Sequence, residues 1–332
     1  MLLRHFSVAG QGKEPQIHVF DKRLGRSFRT ALENVVAERE FYDLPHPSGT
    51  YSLEPAFAEL ETHTSPALQA LIARRRLDAL TEEDLSWLAM FVAAQRLRVR
   101  NFRESMKHFN GMIAEKVRRM GGDPLKVKGW DHIQDDEELK VASSVVLLGL
   151  LEKLPPMIRN KRWLLFEPPP GEYFWISDNP IVLHHEGEAG QRGELGFAVP
   201  GIEIYAPLSP TLLLGMWCPT REQEFREGLG VSERTLQRLD AQGLAPTVGG
   251  MIEGAALRDR AVRIRDDLRP ICAAISAGTP VQATSTNMMF YNSLQVAWAE
   301  RYVMSNTADF SLARRMLDEK PHLRDGPRFR LD

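Results

Sequence analysis

The longest regular pattern of apolar positions runs from Thr81 to Met120. Leu85, Leu88, Val92, Gln95, Val99, Phe102, Met106, Phe109, Ile113, Val117 and Met120 follow one another in steps of three and four. That spacing predicts one long helix with a core-facing stripe, and places Leu88, Val92, Val99, Phe102 and Phe109 in the interior. Thr81 and Asp84 have the spacing of a capping box, Glu82 and Glu83 suit the positive helix start, and Gly121-Gly122 supplies the stop. Asn110-Gly111 marks a candidate kink. Gln95 is the polar member of the stripe and is expected to be buried, where an unpartnered amide costs on the order of 1–3 kcal/mol.

Alternation and turn residues organise the rest. Ile17–Asp21 and Arg26–Thr30 predict two short strands joined through Lys22–Gly25, with Gly25 as the permissive turn residue. Leu32–Phe41 is either a short helix or irregular, and Pro45, Pro47 and Gly49 mark a loop. A helix starts at Glu54-Pro55 with apolar face Leu53, Phe57, Leu60, Leu68, Leu71 and Ile72, kinked or restarted at Ser65-Pro66. Asp135–Leu154 predicts a further helix closed by Pro155-Pro156. Strands then follow at Trp163–Phe166, Tyr173–Ser177, Ile181–Leu183, Ile202–Ala206 and Leu212–Trp217, and helices at Ser232–Gln242 and Met288–Met304. The segment Gly249–Val281 fits neither pattern, Phe310–Leu317 predicts a last helix, and Pro321–Asp332 reads as a loose tail. The expected class is α+β: a central long helix in a helical block, flanked by an N-terminal hairpin and a C-terminal, mainly antiparallel β region. A single domain over residues 1–310 is expected, with the helical block at about 51–155, the β-rich part at about 161–220, and a terminal helix and tail from 311 to 332.

Composition narrows the class without naming an activity. At 332 residues, 43% hydrophobic and 26% charged, the chain buries a full core without disulfides or metal. Its two cysteines, Cys218 and Cys272, make no zinc site by themselves and fit a reducing, cytoplasmic setting. No apolar run reaches membrane-spanning length, Met1-Leu2-Leu3-Arg4-His5 is no signal peptide, and a net charge of −2 gives no global pull toward nucleic acid or membrane. Charge is uneven, however. Arg96 to Arg119 carries eight basic residues against Glu104 and Glu115. Arg96, Arg100 and Arg103 are therefore either a solvated helix face or a surface that meets nucleic-acid phosphate.

Three constellations carry candidate chemistry. Glu54 and Glu61 lie about two turns apart on one predicted helix, and with Asp178 they form an oxygen-ligand set suited to magnesium or manganese. Against that, acids at a helix start interact with its dipole and acids on its outer face keep it soluble. In Ser177-Asp178-Asn179-Pro180, Asp178 and Asn179 either hold a turn through backbone amides or present their side chains to a cleft. Gln95 and Arg98, one turn apart, either orient a substrate phosphate or carboxylate or serve structure, with Arg98 paired to Glu40, Glu54 or Glu61. The histidines give no His-Glu-x-x-His pattern, and there is no phosphate-loop lysine motif, dinucleotide glycine fingerprint or Gly-x-Ser-x-Gly elbow.

Several stretches together resemble one bacterial family. They are Leu3-Arg4-His5-Phe6, Glu38-Arg39-Glu40-Phe41-Tyr42, the Glu54–Glu61 helix, Gln95-Arg96-Leu97-Arg98, Ile176 to Val182 with its Ser-Asp-Asn-Pro turn, Ala206-Pro207-Leu208-Ser209-Pro210, Asn292, and Arg301-Tyr302-Val303. In order and spacing they are similar to the family catalogued as domain of unknown function 4238, over roughly Leu2 to Ser305. That family usually opens with a longer stretch containing His, Pro, Gln and Phe, which here would precede Met1. The resemblance implies no activity. Two functions are carried forward: a divalent-metal-dependent hydrolase acting on a phosphodiester or nucleotide, with Glu54, Glu61 and Asp178 on the ion and Gln95, Arg98, Asp178 and Asn179 around the substrate, and a non-enzymatic binding or sensing module for a protein or nucleic acid.

Overall fold

A computed structural model describes residues 2–9, 14–36, 43–46, 49–126, 130, 136–187, 196–242 and 248–327. The strands are β1 Gln16–Asp21, β2 Arg26–Ala31, β3 Asp43–His46, β4 Gly49–Ser52, β5 Arg162–Glu167, β6 Ile176–Ser177, β7 Val182–His184, β8 Glu203–Ser209, β9 Leu212–Trp217, β10 Pro280–Gln282 and β11 Tyr302–Ser305. The helices are α1 Glu33–Val36, α2 Glu54–Arg74, α3 Glu82–Leu97, α4 Arg100–Arg119, α5 Asp136–Arg159, α6 Pro219–Gln242, α7 Val248–Ala277, α8 Ser285–Trp298 and α9 Ser311–Glu319. The fold is α+β. One antiparallel sheet has the order β2-β1-β11-β6, a larger one has the order β10-β5-β9-β8-β7, and β3 pairs with β4 alone. The larger sheet is antiparallel apart from its β10–β5 pair.

Period-two alternation sorts the larger sheet onto two cores. Trp163 and Leu165 of β5, Ile204, Ala206 and Leu208 of β8, and Leu212, Leu214 and Met216 of β9 join the helical block of α2, α3 and α5. Their neighbours Leu164, Phe166, Tyr205, Leu213 and Trp217 face the opposite way, into an aromatic layer with Met288 and Tyr291 of α8. Both faces are covered, so β8 and β9 are buried at every position and read as continuous apolar runs. Gly215 permits this packing, because a Cβ there would stand 2.9 Å from the Phe166 ring. The N-terminal hairpin turns on Gly25 at φ +66, as its sequence predicts, and its sheet packs against α9 through Phe20, Val303, Phe310 and Leu317.

The predicted long helix is two helices. Its capping box forms at Thr81 and Asp84, and its end closes at Gly121 and Gly122, whose N–H groups reach the Arg118 and Val117 carbonyls. The break falls at Arg98 and Val99, where Val99 is extended (φ −107, ψ 149), and not at Asn110-Gly111. Leu88, Val92 and Val99 are buried, but the change of axis leaves Phe102 and Gln95 half-buried and turns Phe109 outward at 42% exposure. Other boundaries also differ. Pro155 and Pro156 lie inside α5, which runs on to Arg159 because Ile158 is anchored in the core and its carbonyl accepts from Trp163 Nε1. The segment expected to be helical over Met288–Met304 is helix α8 followed by strand β11. Gly249–Val281 is mostly the long helix α7 ending in β10. The tail is held as far as residue 327: Arg324 donates to the Lys22 carbonyl and Asn101 to that of Pro327. The family-like stretch Glu38–Tyr42 lies outside the described residues.

Candidate functional site at the turn between the sheets

Ser177-Asp178-Asn179-Pro180 is the crossing from one sheet to the other, since β6 belongs to the first and β7 to the second. Three layers meet there and their backbone groups need partners. The Asp178 carboxylate supplies three: Oδ1 accepts from Glu300 N at 2.8 Å, and Oδ2 accepts from Arg301 N at 2.8 Å and Tyr302 N at 2.9 Å. These amides lie where the chain leaves α8 and enters β11. Burial pushes the Asp178 carboxyl up to about 6, against the pull of the three N–H groups and of Lys22. Lys22, in the hairpin turn, is fully buried. Its Nζ donates to the Val296 and Ala299 carbonyls at 2.8 and 2.6 Å, capping the end of α8, and burial draws it down to about 8. Beside it, Asp21 accepts both Nε and Nη2 of Arg301, and Glu300 accepts from Arg23 and Asn101.

Asn179 ties the same crossing to the helical block. Its Nδ2 donates to the Trp298 carbonyl at 2.9 Å and its Oδ1 accepts from Arg96 Nη1 at 2.8 Å. The Arg96 guanidinium lies 4.5 Å over the Trp298 ring, and burial lowers it to about 10. Helix α8 reads the crossing through Asn292 and Gln295. Asn292 accepts from Trp175 N and donates to the Tyr173 carbonyl, while Gln295 donates to the Pro180 carbonyl and its Oε1 accepts from the Ser177 hydroxyl. Lys22 and Gln295 escaped sequence reasoning. The usable signal for Gln295 was its place with Asn292, three residues apart on an otherwise apolar helix face.

The expected site residues divide. Asn179 joins Arg96, and Asp178 joins Lys22, at the crossing. Arg98 pairs instead with Glu61 at 3.0 Å and lies over the Phe57 ring at 5.1 Å. Glu54 is exposed in the first turn of α2, where the helix dipole favours an acid, and half-buried Gln95 sits near the end of α3. Among the described residues no group of three or more His, Cys, Asp or Glu side chains is placed to hold a metal ion, so Glu54, Glu61 and Asp178 do not form the expected ligand set. The basic row also separates. Arg96 is packed on Trp298, Arg103 is half-buried, and Arg100 is exposed and 3.6 Å from Glu104.

A second region contrasts with this one. Helix α5 buries Leu139, Leu147, Leu154 and Ile158, yet its outward side is apolar too, with Val145 63%, Val146 42% and Leu148 46% exposed. Leu148 and Leu151 also line a groove of about 330 Å³ with Leu53, Phe57 and Leu60 of the α2 region and Trp87 and Met90 of α3. The Trp87 ring stacks with His63 at 4.6 Å. The stretch Glu138–Arg159 is long and apolar enough, by length and composition only, to cross a membrane, and is partly buried in the protein. This corrects the expectation that no apolar run reaches that length: Lys140, Glu152 and Lys153 divide the stretch into shorter uninterrupted runs in the sequence, but the helix as a whole remains apolar enough.

A family model described as "Protein of unknown function (DUF4238)" matches residues 1–309. The chain belongs to that family. No curated protein and no solved structure matches it. Many stretches by which the chain resembles DUF4238 meet at one place: Arg96, Ser177 to Pro180, Asn292 and Arg301-Tyr302 all lie on the crossing between the sheets. At this crossing the carboxylate, amides and cations of the chain are directed at backbone and at one another.

Proposed function

We propose that this chain is a non-enzymatic binding module that docks a protein partner on the apolar face of its helical block. The observation that carries the reading is the solvent-facing apolar side of α5 at Val145, Val146 and Leu148, continuous through Leu148 with the groove between α2, α3 and α5. Helices of globular proteins turn a polar side to water, and exposed contiguous apolar surface marks interaction sites. A groove with an aromatic platform at Trp87 and adaptable Met90 suits the apolar anchors of an amphipathic helix. The hydrolase reading has less support. Asp178 is directed at backbone amides and Glu61 at Arg98, which leaves neither poised for an ion or a substrate.

Selection of helical peptides from a displayed library against the purified chain tests this. The expected binders carry apolar residues at i, i+3 or i+4, and i+7, and lose binding to the Leu148→Asp and Met90→Asp chains. Failure to select any binder sensitive to these substitutions, or manganese-dependent cleavage of phosphodiester substrates that Asp178→Ala abolishes, would overturn the proposal.

A further inference from the structure

The outer face of α5 has an order that points to its occupant. Read along that face are Glu138, Ala142, Val145, Val146, Gly149 and Lys153, all exposed. About a midpoint between Val145 and Val146, the spacing is the same in both directions. Val145 mirrors Val146, Ala142 mirrors Gly149, and Glu138 mirrors Lys153. Bulk mirrors bulk, small mirrors small, and acid mirrors base. At 1.5 Å rise per residue the two charged ends stand about 22 Å apart along the helix, one on each side of the apolar centre.

Two copies of one helix related by a two-fold axis perpendicular to it must run antiparallel, and each residue then meets its mirror position. We infer that the partner is a second copy of this chain, with α5 packed antiparallel on α5 about an axis between Val145 and Val146. The inference rests on the binding-module reading and names the partner of that same face. In this arrangement the valines of both copies form the centre. Ala142 of each copy lies against Gly149 of the other, which lets the helices approach closely; a Cβ at Gly149 would meet nothing within 4 Å in the single chain. Glu138 of each copy faces Lys153 of the other at the rim. Parallel packing would set Glu138 on Glu138 and Lys153 on Lys153, and the charges therefore select the antiparallel form. A contact of one helix and its flanks is small for a dimer, so association in the micromolar range is expected.

Sedimentation equilibrium on the full chain, from about 1 to about 200 μM, measures this directly. The wild type is expected to pass from monomer to dimer in that range. Val145→Glu is expected to remain monomeric, with unchanged circular dichroism and thermal unfolding because the Val145 side chain faces solvent. Gly149→Leu is expected to weaken association about tenfold while leaving the monomer as stable or more so, since leucine favours a helix over glycine. Lys153→Glu weakens it as well, and the double reversal Glu138→Lys with Lys153→Glu restores it. A monomeric wild type throughout would overturn the inference, as would a dimer indifferent to Val145→Glu. Binding of the monomer to phosphatidylcholine–phosphatidylglycerol vesicles through Val145 would also overturn it, in favour of a lipid surface. If self-association fails but library peptides still bind in a Leu148-dependent way, the identity of the partner is wrong and the binding-module reading stands. If both fail, the reading itself is lost.

Discussion

The crossing between the sheets and the outer face of α5 are opposites. At the crossing, charged and polar side chains are buried (Lys22, Asn179) or half-buried (Asp178), and each named group meets a protein partner: Asp178 three amides, Lys22 two carbonyls, Asn179 a carbonyl and a guanidinium. On α5, the apolar side chains Val145, Val146 and Leu148 stand exposed to water among the described residues. Buried polar groups that are fully engaged hold a structure in one arrangement, whereas exposed apolar surface waits for something else to cover it. Sequence motifs drew attention to the first region, and the second is the better candidate for function.

The sharpest way to break this contrast is at Lys22. Lys22→Met removes the cap on α8 and leaves Asp178 without its neighbouring cation, so a loss of about 3–5 kcal/mol is expected in chemical denaturation. A change below about 1 kcal/mol would mean that the network contributes little to stability. Within the helical block, Phe102 is only half-buried, and Phe102→Ala is expected to cost about 1–3 kcal/mol, less than the roughly 2–5 kcal/mol of Leu88→Ala. Equal costs would show that the break between α3 and α4 does not set their packing.

Titration sharpens the contrast further. Burial draws Lys22 down to about 8 from 10.5, so between those values the unfolded chain binds more protons and stability rises with pH. Burial raises Asp178 to about 6 from 3.8, so over that interval the folded chain binds more protons and stability falls as pH rises. Thermal unfolding followed across pH is expected to show both slopes, with the high-pH slope lost in Lys22→Met. Val145→Glu gives the smallest effect, within about 0.5 kcal/mol of wild type, as fits a side chain that touches little in the monomer. A large loss there would place Val145 in the core and remove the contrast.

Much of the fold was legible because its signals are local. The hairpin follows from alternation and Gly25, the start of α3 from Thr81 and Asp84, and the buried strands from continuous apolar runs. The breaks that were missed have no local signal. Nothing in Arg98-Val99 ends a helix; there the chain turns while Arg96 reaches Asn179 and Arg98 reaches Glu61, residues far away in sequence. Likewise Ala299-Glu300 lacks glycine or proline, and α8 ends where Lys22 takes its last carbonyls and Asp178 takes the following amides. Prolines at 155 and 156 looked decisive and were not, because the burial of Ile158 carries α5 past them. At the candidate site, the turn and its two polar residues were legible, but not their partners. A carboxylate that accepts three backbone amides and one that binds a metal look alike in sequence.

The unfolding free energy of Asp178→Asn separates those two roles most directly. From sequence, that substitution keeps shape, removes charge and is expected to leave the fold stable while abolishing activity. In the structure Oδ2 accepts two N–H groups, from Arg301 and Tyr302, and Oδ1 a third from Glu300, so an amide nitrogen at either position points a donor at a donor in a part-buried site. With Asp178 as part of the scaffold, the variant is expected to lose about 2–4 kcal/mol in chemical denaturation at neutral pH. A variant as stable as the wild type would contradict the account and return Asp178 to the position of a functional acid.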